Sequence, residues 1–252
     1  MRSVSFVLIV VLSAAVNAAP LTDTEGTQFS SGEQRVTLLE LFTSEGCSSC
    51  PPADRWLSQL KNDEGLWRHF VPIAFHVDYW DYIGWPDRFA KADYSARQQR
   101  YAREGGTRFV YTPGFFSDGE EWVGWRGNSD IPHSAEPAGA LTVRIDGATV
   151  AVHYTNPELN DDDPLRVHVA VLGMDLETRV RAGENRGRRL EHDFVALDVS
   201  ITELESTTAG YRAVATLPAD LEPGTSKALV AWVSRQDSQA PLQAVGGFLP
   251  DE

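Results

Sequence analysis

The only two cysteines of the chain, Cys47 and Cys50, lie between a predicted strand and a predicted helix. Residues 36–42, which precede them, are apolar almost throughout, as in a strand buried on both faces of a parallel sheet. Two prolines follow the cysteines, and residues 53–60 then carry apolar side chains at helical spacing. The sequence therefore predicts a strand, a turn that carries both cysteines, and a helix.

Disulfide exchange is the chemistry that this placement favours. A disulfide that closes so short a loop restrains the unfolded chain little, so a structural role explains the pair poorly. A thiolate at a helix N-terminus is stabilised by unpaired N–H groups and by the helix dipole. We predict that Cys47 is exposed and attacks, whereas Cys50 is shielded in the first helical turn and resolves the mixed disulfide. A metal half-site and an inert bridge are the alternatives.

A second buried strand is predicted at residues 70–77 and ends in a polar and aromatic segment. Alternation along an extended chain puts His76, Asp78 and Trp80 on one side. In a parallel sheet the carboxyl ends of the strands meet at one edge, so these side chains are expected near the cysteines. His76 and Asp78 then either relay protons or form a structural pair that anchors the aromatic loop 79–85. The rings of that loop either line a binding site for an unfolded or extended protein substrate or fill the core.

The rest of the chain divides into two parts. A helix over 87–104 and a hairpin over 108–119 follow the second strand, and residues 126–139 have the Gly, Ser, Asn and Pro content of a linker. Six short runs with partial alternation follow, as in an all-β sandwich. These runs are 141–145, 149–154, 165–172, 194–201, 211–217 and 228–233.

Four segments resemble the secreted thioredoxin-like family catalogued as domain of unknown function 1223: Leu39–Asp54, Phe75–Trp85, Tyr111–Pro113 and Arg181–Leu190. The resemblance covers nearly the whole chain after residue 19. It implies an α/β thioredoxin-like N-terminal domain over 33–127, followed by an all-β sandwich-like C-terminal domain over 140–250.

The same resemblance implies that Thr112 and Pro113 form a cis-proline loop that faces the cysteines. In such folds the residue before the proline pairs its backbone with an extended substrate, and an X-Pro bond is the kind for which cis costs little. An ordinary trans proline in a turn is the alternative. The thioredoxin pattern also ends in a helix, which residues 126–139 fit poorly because they contain two prolines.

Residues 1–19 predict a signal peptide, with Arg2 before an apolar run and small residues at the cleavage position. A membrane anchor is the alternative, but the run is shorter than the ~20 residues that span a bilayer. We therefore expect a secreted, periplasmic protein without a membrane span after signal removal. The net charge of −14 and the lack of a long basic run argue against nucleic acid as a partner.

The sequence thus predicts a periplasmic thiol-disulfide oxidoreductase that acts on protein thiols or disulfides of the exported compartment. We expect no cofactor, and a redox partner protein is a further expected partner, whether the protein oxidises, reduces or isomerises disulfides. The candidate site consists of the catalytic residues Cys47, Cys50 and Pro113, with His76, Asp78, Thr112 and Trp80 beside them. One alternative is a copper carrier that uses Cys47, Cys50 and His76, since thiolates select soft ions. Another is a protein-binding module with a non-catalytic disulfide.

Overall fold

The computed structural model describes residues 26–127, 129–160, 163–217 and 226–250, so the predicted signal peptide lies outside the described residues. In these ranges the chain forms two α-helices, α1 (Pro51–Gln59) and α2 (Ala92–Glu104), and short 3-10 helices at Leu60–Asn62, Asp81–Ile83 and Gly124–Gly127. The strands are β1 (Thr27–Ser30), β2 (Thr37–Thr43), β3 (Phe70–His76), β4 (Gly114–Ser117), β5 (Glu120–Glu121), β6 (Ala140–Asp146), β7 (Thr149–Thr155), β8 (Leu165–Gly173), β9 (Leu176–Arg179), β10 (Arg189–His192), β11 (Val195–Glu203), β12 (Glu205–Thr207), β13 (Gly210–Thr216), β14 (Lys227–Arg235) and β15 (Pro241–Phe248).

One eight-stranded sheet contains strands from both halves of the chain, in the order β15-β14-β8-β11-β3-β2-β4-β5. Strand β3 is parallel to both of its neighbours, β2 and β11, whereas the other adjacent strands are antiparallel. The halves meet at β3 and β11, where the backbone N–H of Ala74 donates to the carbonyl of Phe194 at 2.8 Å. The second-half strands therefore extend the same sheet that carries the cysteine turn.

The predicted fold class, an α/β thioredoxin-like N-terminal domain followed by an all-β sandwich-like C-terminal domain, is wrong. The described residues are mostly β, with 44% in strands and 15% in helices, and the largest sheet crosses the expected boundary. The end of the predicted linker lies against the chain before β2, where the N–H of Arg35 donates to the carbonyl of Glu136 at 3.0 Å. Apolar runs indicate which strands are buried but not which strands pair, and this is why sequence patterns missed the shared sheet.

In the described ranges, two large hydrophobic cores pack against the sheets, beside a small third cluster. The first packs both helices against strands from both halves, and it includes Leu41 and Phe75 from the first half and Leu172 and Trp232 from the second. The second lies between the five-stranded sheet, ordered β1-β6-β7-β13-β12, and strands β8, β14 and β15. Because the first core is continuous across the halves, unfolding either half would expose apolar surface of the other.

A buried ion pair fixes α2 on the large sheet. Glu40 of β2 is fully buried, and its Oε1 accepts from Nε of Arg97 at 2.6 Å. Gln239, which precedes β15, accepts a second bond from Nη1 of Arg97 at 2.9 Å. Since an unpaired buried charge is costly, this network specifies how α2 and the second half approach β2.

Local elements follow the sequence more closely than the pairing of the strands does. The predictions at 36–42, 53–60 and 70–77 are confirmed as β2, α1 and β3. Helix α2 begins later than predicted because Asp87 bonds the N–H of Phe89 at 3.0 Å instead of starting the helix. Strands β1, β9, β10, β12 and β15 were not predicted. None of the helices described here is long and apolar enough to cross a membrane.

Candidate active site

The two cysteines form a disulfide at the start of α1, with their Cα atoms 5.5 Å apart. Cys50 is the N-cap residue, and the two prolines occupy the first positions of the helix. The carbonyl of Cys50 accepts bonds from the N–H groups of Ala53 at 2.8 Å and Asp54 at 3.1 Å. The predicted strand, turn and helix are therefore present, and the disulfide lies where the helix dipole favours a thiolate.

Both cysteines are covered, whereas the two serines between them are exposed. Cys47 is 1% exposed and Cys50 is 0% exposed, so the prediction of an exposed Cys47 is wrong for this oxidised state. The Sγ of Cys47 lies 3.8 Å from the carbonyl oxygen of Thr112 and 3.3 Å from Oγ of Ser49. A substrate sulfur can reach Cys47 only after part of this cover moves.

The predicted cis-proline loop provides part of that cover. The Thr112–Pro113 peptide bond is cis, which confirms the expectation, and Pro113 is buried. Nε1 of Trp80 donates to Oγ1 of Thr112 at 2.8 Å, and Nε2 of Gln98 donates to the carbonyl of Tyr111 at 2.7 Å. Trp80 is thus brought to the loop that contacts Cys47.

His76 and Asp78 do not pair with each other. Oγ of Ser95 donates to Oδ1 of Asp78 at 2.5 Å and accepts from the N–H of Asp78 at 3.1 Å. Nδ1 of His76 instead bonds Oδ2 of Asp87 at 2.7 Å. The regular strand ends at His76, so alternation no longer fixes the direction of Asp78.

Five ionisable side chains, at most 6% exposed, form a group that we call the acid–imidazole cluster: Glu45, Asp54, His76, Asp87 and His192. The rings of His76 and His192 contact edge to face, with centroids 4.9 Å apart. His192 also lies 3.5 Å from Oε1 of Glu45 and 3.9 Å from Oδ2 of Asp54. The cluster therefore connects the cysteine turn and α1 with β10.

Burial and charge act against each other in this cluster. Burial alone would lower the pKa of His76, but the adjacent Asp87 carboxylate reverses this effect and raises it. Burial favours a raised pKa for Asp87, but the His76 charge and its hydrogen bond lower it. Burial raises the pKa of Asp54 despite the opposing charge of His192 and the hydrogen bond from Thr43. The arrangement therefore favours a charged pair of the His76 imidazolium and the Asp87 carboxylate, beside an Asp54 carboxyl group that ionises less readily than usual.

The loop between β9 and β10 holds the cysteine turn from outside. Nδ2 of Asn185 donates to the carbonyls of Glu45 at 2.8 Å and Cys47 at 2.9 Å. Oε2 of Glu184 accepts from the N–H of Ser48 at 3.0 Å, and hydrogen bonds from Ser48 lower the pKa of this exposed carboxylate. The dithiol turn is thus fixed by residues from the second half of the chain.

Sequence reasoning missed several of these residues for a shared reason. Asp54 lies one helical turn after Cys50, so helical spacing was a usable signal for it. Glu184, Asn185 and His192 come from a distant hairpin, and no local pattern links them to the cysteines. Their placement depends on the strand pairing that the sequence did not reveal.

The copper alternative lacks a formed site in the described ranges. There, no group of three or more His, Cys, Asp or Glu side chains is arranged to hold a metal ion. His76, the suggested third ligand, directs Nδ1 to Asp87, while the two sulfurs bond each other.

Comparisons with known proteins identify a family but no activity. A family model described as "Protein of unknown function (DUF1223)" matches residues 38–234. The structure is similar to protein AGR_C_4864 from Agrobacterium tumefaciens, with 23% identity over 86% of this chain and 95% of that chain and a TM-score of 0.59. It is also similar to HBP35 of Porphyromonas gingivalis, with 13% identity over 86% of this chain and 76% of that chain and a TM-score of 0.54. These identities establish similarity of fold alone. No functionally curated protein matches the chain.

Proposed function

We propose that this chain, which belongs to the DUF1223 family of proteins of unknown function, is a thiol-disulfide oxidoreductase that acts on protein substrates. The observation that carries the proposal is the contact between the disulfide and the cis-proline loop. Sγ of Cys47 lies 3.8 Å from the carbonyl oxygen of Thr112, at the N-terminus of α1. After reduction, a Cys47 thiolate in this position is stabilised by the helix N-terminus and has a backbone edge beside it.

In the reductive direction, the Cys47 thiolate attacks one sulfur of a substrate disulfide. A Cys47–substrate bond forms, the substrate S–S bond breaks, and the other substrate sulfur leaves as a thiolate. The Cys50 thiolate then attacks Sγ of Cys47, which forms the observed Cys47–Cys50 bond and releases the second substrate thiolate. Two electrons pass from the dithiol to the substrate, and the same steps run in reverse when the protein oxidises a substrate dithiol.

The surroundings of the sulfurs support distinct roles for the two cysteines. Oγ of Ser49 lies 3.3 Å from Sγ of Cys47 and can donate a hydrogen bond to the thiolate that leaves or attacks there. The sulfur of Cys47 contacts the cis-proline loop, whereas Cys50 is the N-cap residue of α1, so we assign attack to Cys47 and resolution to Cys50. The covering loop must open for the first step and can close again after the second.

The test is insulin reduction and refolding of scrambled ribonuclease by the mature protein, beside Cys47→Ser and Cys50→Ser. We expect activity in the wild type and none in Cys47→Ser. Ser206→Ala, at an exposed position on β12, controls for surface substitution and should retain the activity. Equal, negligible activity in the wild type and Cys47→Ser would refute an oxidoreductase and favour a binding module. Copper bound stoichiometrically and dependent on both cysteines would instead favour a metal carrier.

We further propose that the protein is exported to the periplasm, where a disulfide such as Cys47–Cys50 persists. Cys50→Ser leaves Cys47 without its resolving partner and should therefore accumulate mixed disulfides with substrates. Fractionation of cells that express this variant would show both the compartment and the trapped proteins. Trapped partners confined to the cytoplasm would contradict the proposed location.

A further inference from the structure

The hairpin formed by β9 and β10 carries a basic groove that the chemistry proposed above does not use. The groove has a volume of about 650 Å³ and is lined by Arg179, Arg181, Arg186, Arg188 and Arg189 together with Val180 and Gly187. All five arginine side chains are exposed. We call this surface the arginine groove.

The charge of this surface is opposite to that of the chain as a whole, which has a net charge of −14. Arg189 is neutralised locally, because it forms an ion pair with Glu177 and lies 3.8 Å from Glu191. Within the described parts of the chain, the other four arginines make no ion pair with a carboxylate. An acidic protein therefore keeps four unneutralised guanidinium groups on one hairpin.

The hairpin that carries the arginine groove also contacts the dithiol turn. Asn185, which binds the carbonyl of Cys47, lies directly before Arg186 in the chain. The turn is tight: the N–H of Arg186 donates to the carbonyl of Gly183 at 3.2 Å, and the N–H of Arg188 donates to the carbonyl of Asn185 at 3.0 Å. The loop that bears the arginines is therefore in direct contact with the dithiol turn.

We propose that the arginine groove binds carboxylates beside the reacting cysteine of the substrate, so that the protein acts preferentially on disulfides in acidic segments. This inference rests on the proposed oxidoreductase function and names its substrate class. Guanidinium groups bind carboxylates through paired hydrogen bonds, and like-signed clusters steer oppositely charged partners over about one Debye length, ~8 Å at physiological salt. Glu184 is the one carboxylate on the loop beside Ser48, and it limits but does not cancel the positive charge of four arginines.

The test uses three peptide disulfides of equal length, with the cysteine flanked by glutamate, glutamine or lysine. The fully reduced protein reacts with each peptide at low and high ionic strength, and the second-order rate constants are compared. We expect the glutamate peptide to react about tenfold or more faster than the lysine peptide at low salt, with the ratio falling towards one at high salt. Glutathione disulfide serves as a small anionic probe. If lowering the salt accelerates its reaction less than that of the glutamate peptide, the groove prefers an extended acidic segment. An equal acceleration indicates that carboxylates of either source bind.

A fourfold variant, Arg179→Gln, Arg181→Gln, Arg186→Gln and Arg188→Gln, should lose this charge preference and still react with the glutamine peptide. The control replaces four other exposed arginines with glutamine and so removes the same charge. These are Arg68 before β3, Arg103 near the end of α2, and Arg144 and Arg212 on the five-stranded sheet. The control variant should keep the wild-type preference.

The outcomes separate this inference from the proposed function. Equal rates with the three peptides at low salt would overturn the arginine groove as a substrate site while leaving the oxidoreductase intact. No reaction with any peptide would overturn the proposed function itself. The salt dependence of the wild type decides the question even if the fourfold variant fails to fold.

Discussion

Asn185 holds the main-chain carbonyl of Cys47 through a 2.9 Å hydrogen bond, although the two residues are 138 positions apart. The same Nδ2 also donates to the carbonyl of Glu45 at 2.8 Å, and Asn185 is fully buried. The dithiol turn is therefore not an autonomous product of its own strand and helix. It is held by a side chain from the opposite half of the chain.

Replacing Asn185 with alanine should destabilise the oxidised protein. The substitution leaves two buried carbonyls, those of Glu45 and Cys47, without this donor, and each such loss costs ~1–3 kcal/mol. Urea unfolding should show a lower free energy of unfolding for Asn185→Ala than for the wild type. Asn62→Ala removes an exposed amide and should change it little. Equal losses in the two variants would contradict a specific role of Asn185.

The His76–Asp87 pair should give the stability a defined pH dependence. Because the pKa of His76 is raised in the folded state, the stabilisation by His76 is complete below its ordinary pKa of 6.5. It is lost as the pH rises through the pKa of the folded state. The lowered pKa of Asp87 means that its contribution is present above 3.8 and is lost as the pH falls through the folded value. The pair therefore stabilises most strongly between these two ordinary values.

Asp87→Asn should cost ~3–5 kcal/mol at about pH 5, because it breaks a buried ion pair. The cost should shrink as the pH rises above the folded pKa of His76, which chemical unfolding at several pH values would measure. Asp198→Asn breaks the half-exposed pair with Lys91 and should cost less than ~1 kcal/mol. A cost for Asp87→Asn that does not change with pH would contradict the ionised pair.

The sequence was sufficient for elements whose signals are local. The near-continuous apolar run before Cys47 indicates β2, and the helical spacing after Cys50 indicates α1. Each depends on residues within one or two turns of each other. The resemblance to DUF1223 was also correct, because long motifs identify a family without revealing its strand order.

The rest depends on tertiary pairing. His76 finds Asp87 rather than Asp78 because the strand ends at His76 and the chain turns back after it. Asn185 reaches Cys47 because β11 adds to β3 and brings the preceding hairpin to the dithiol edge of the sheet. Neither register nor sheet order can be read from alternation alone. The sequence therefore predicted neither the fold class nor the contacts that Asp87 and Asn185 make at the site.

Trp80→Phe should make the reduced Cys47 more reactive. Nε1 of Trp80 bonds Oγ1 of Thr112, whose carbonyl lies against Sγ of Cys47. Removal of the donor loosens this cover by ~0.5–1.5 kcal/mol, which corresponds to a rate about two- to tenfold higher. Alkylation of reduced protein by iodoacetamide measures the change, with Trp125→Phe as a matched control because the Trp125 ring packs on Phe115. An unchanged rate for Trp80→Phe would show that the loop opens without breaking this bond.

Glu184→Gln should raise the reactivity of Cys47 by a different route. The carboxylate of Glu184, which is ionised at neutral pH, accepts a hydrogen bond from the N–H of Ser48, the residue that follows Cys47. Glutamine retains a hydrogen-bond acceptor but removes the negative charge, so a larger fraction of Cys47 becomes thiolate at a given pH. Alkylation with a neutral reagent should be about two- to fivefold faster near pH 6–7, and the pH–rate profile should move to lower pH. Glu191→Gln removes the same charge from β10 without contacting the cysteine turn and should leave the profile near that of the wild type. If the two variants show the same profile, the charge of Glu184 has no specific influence on the dithiol.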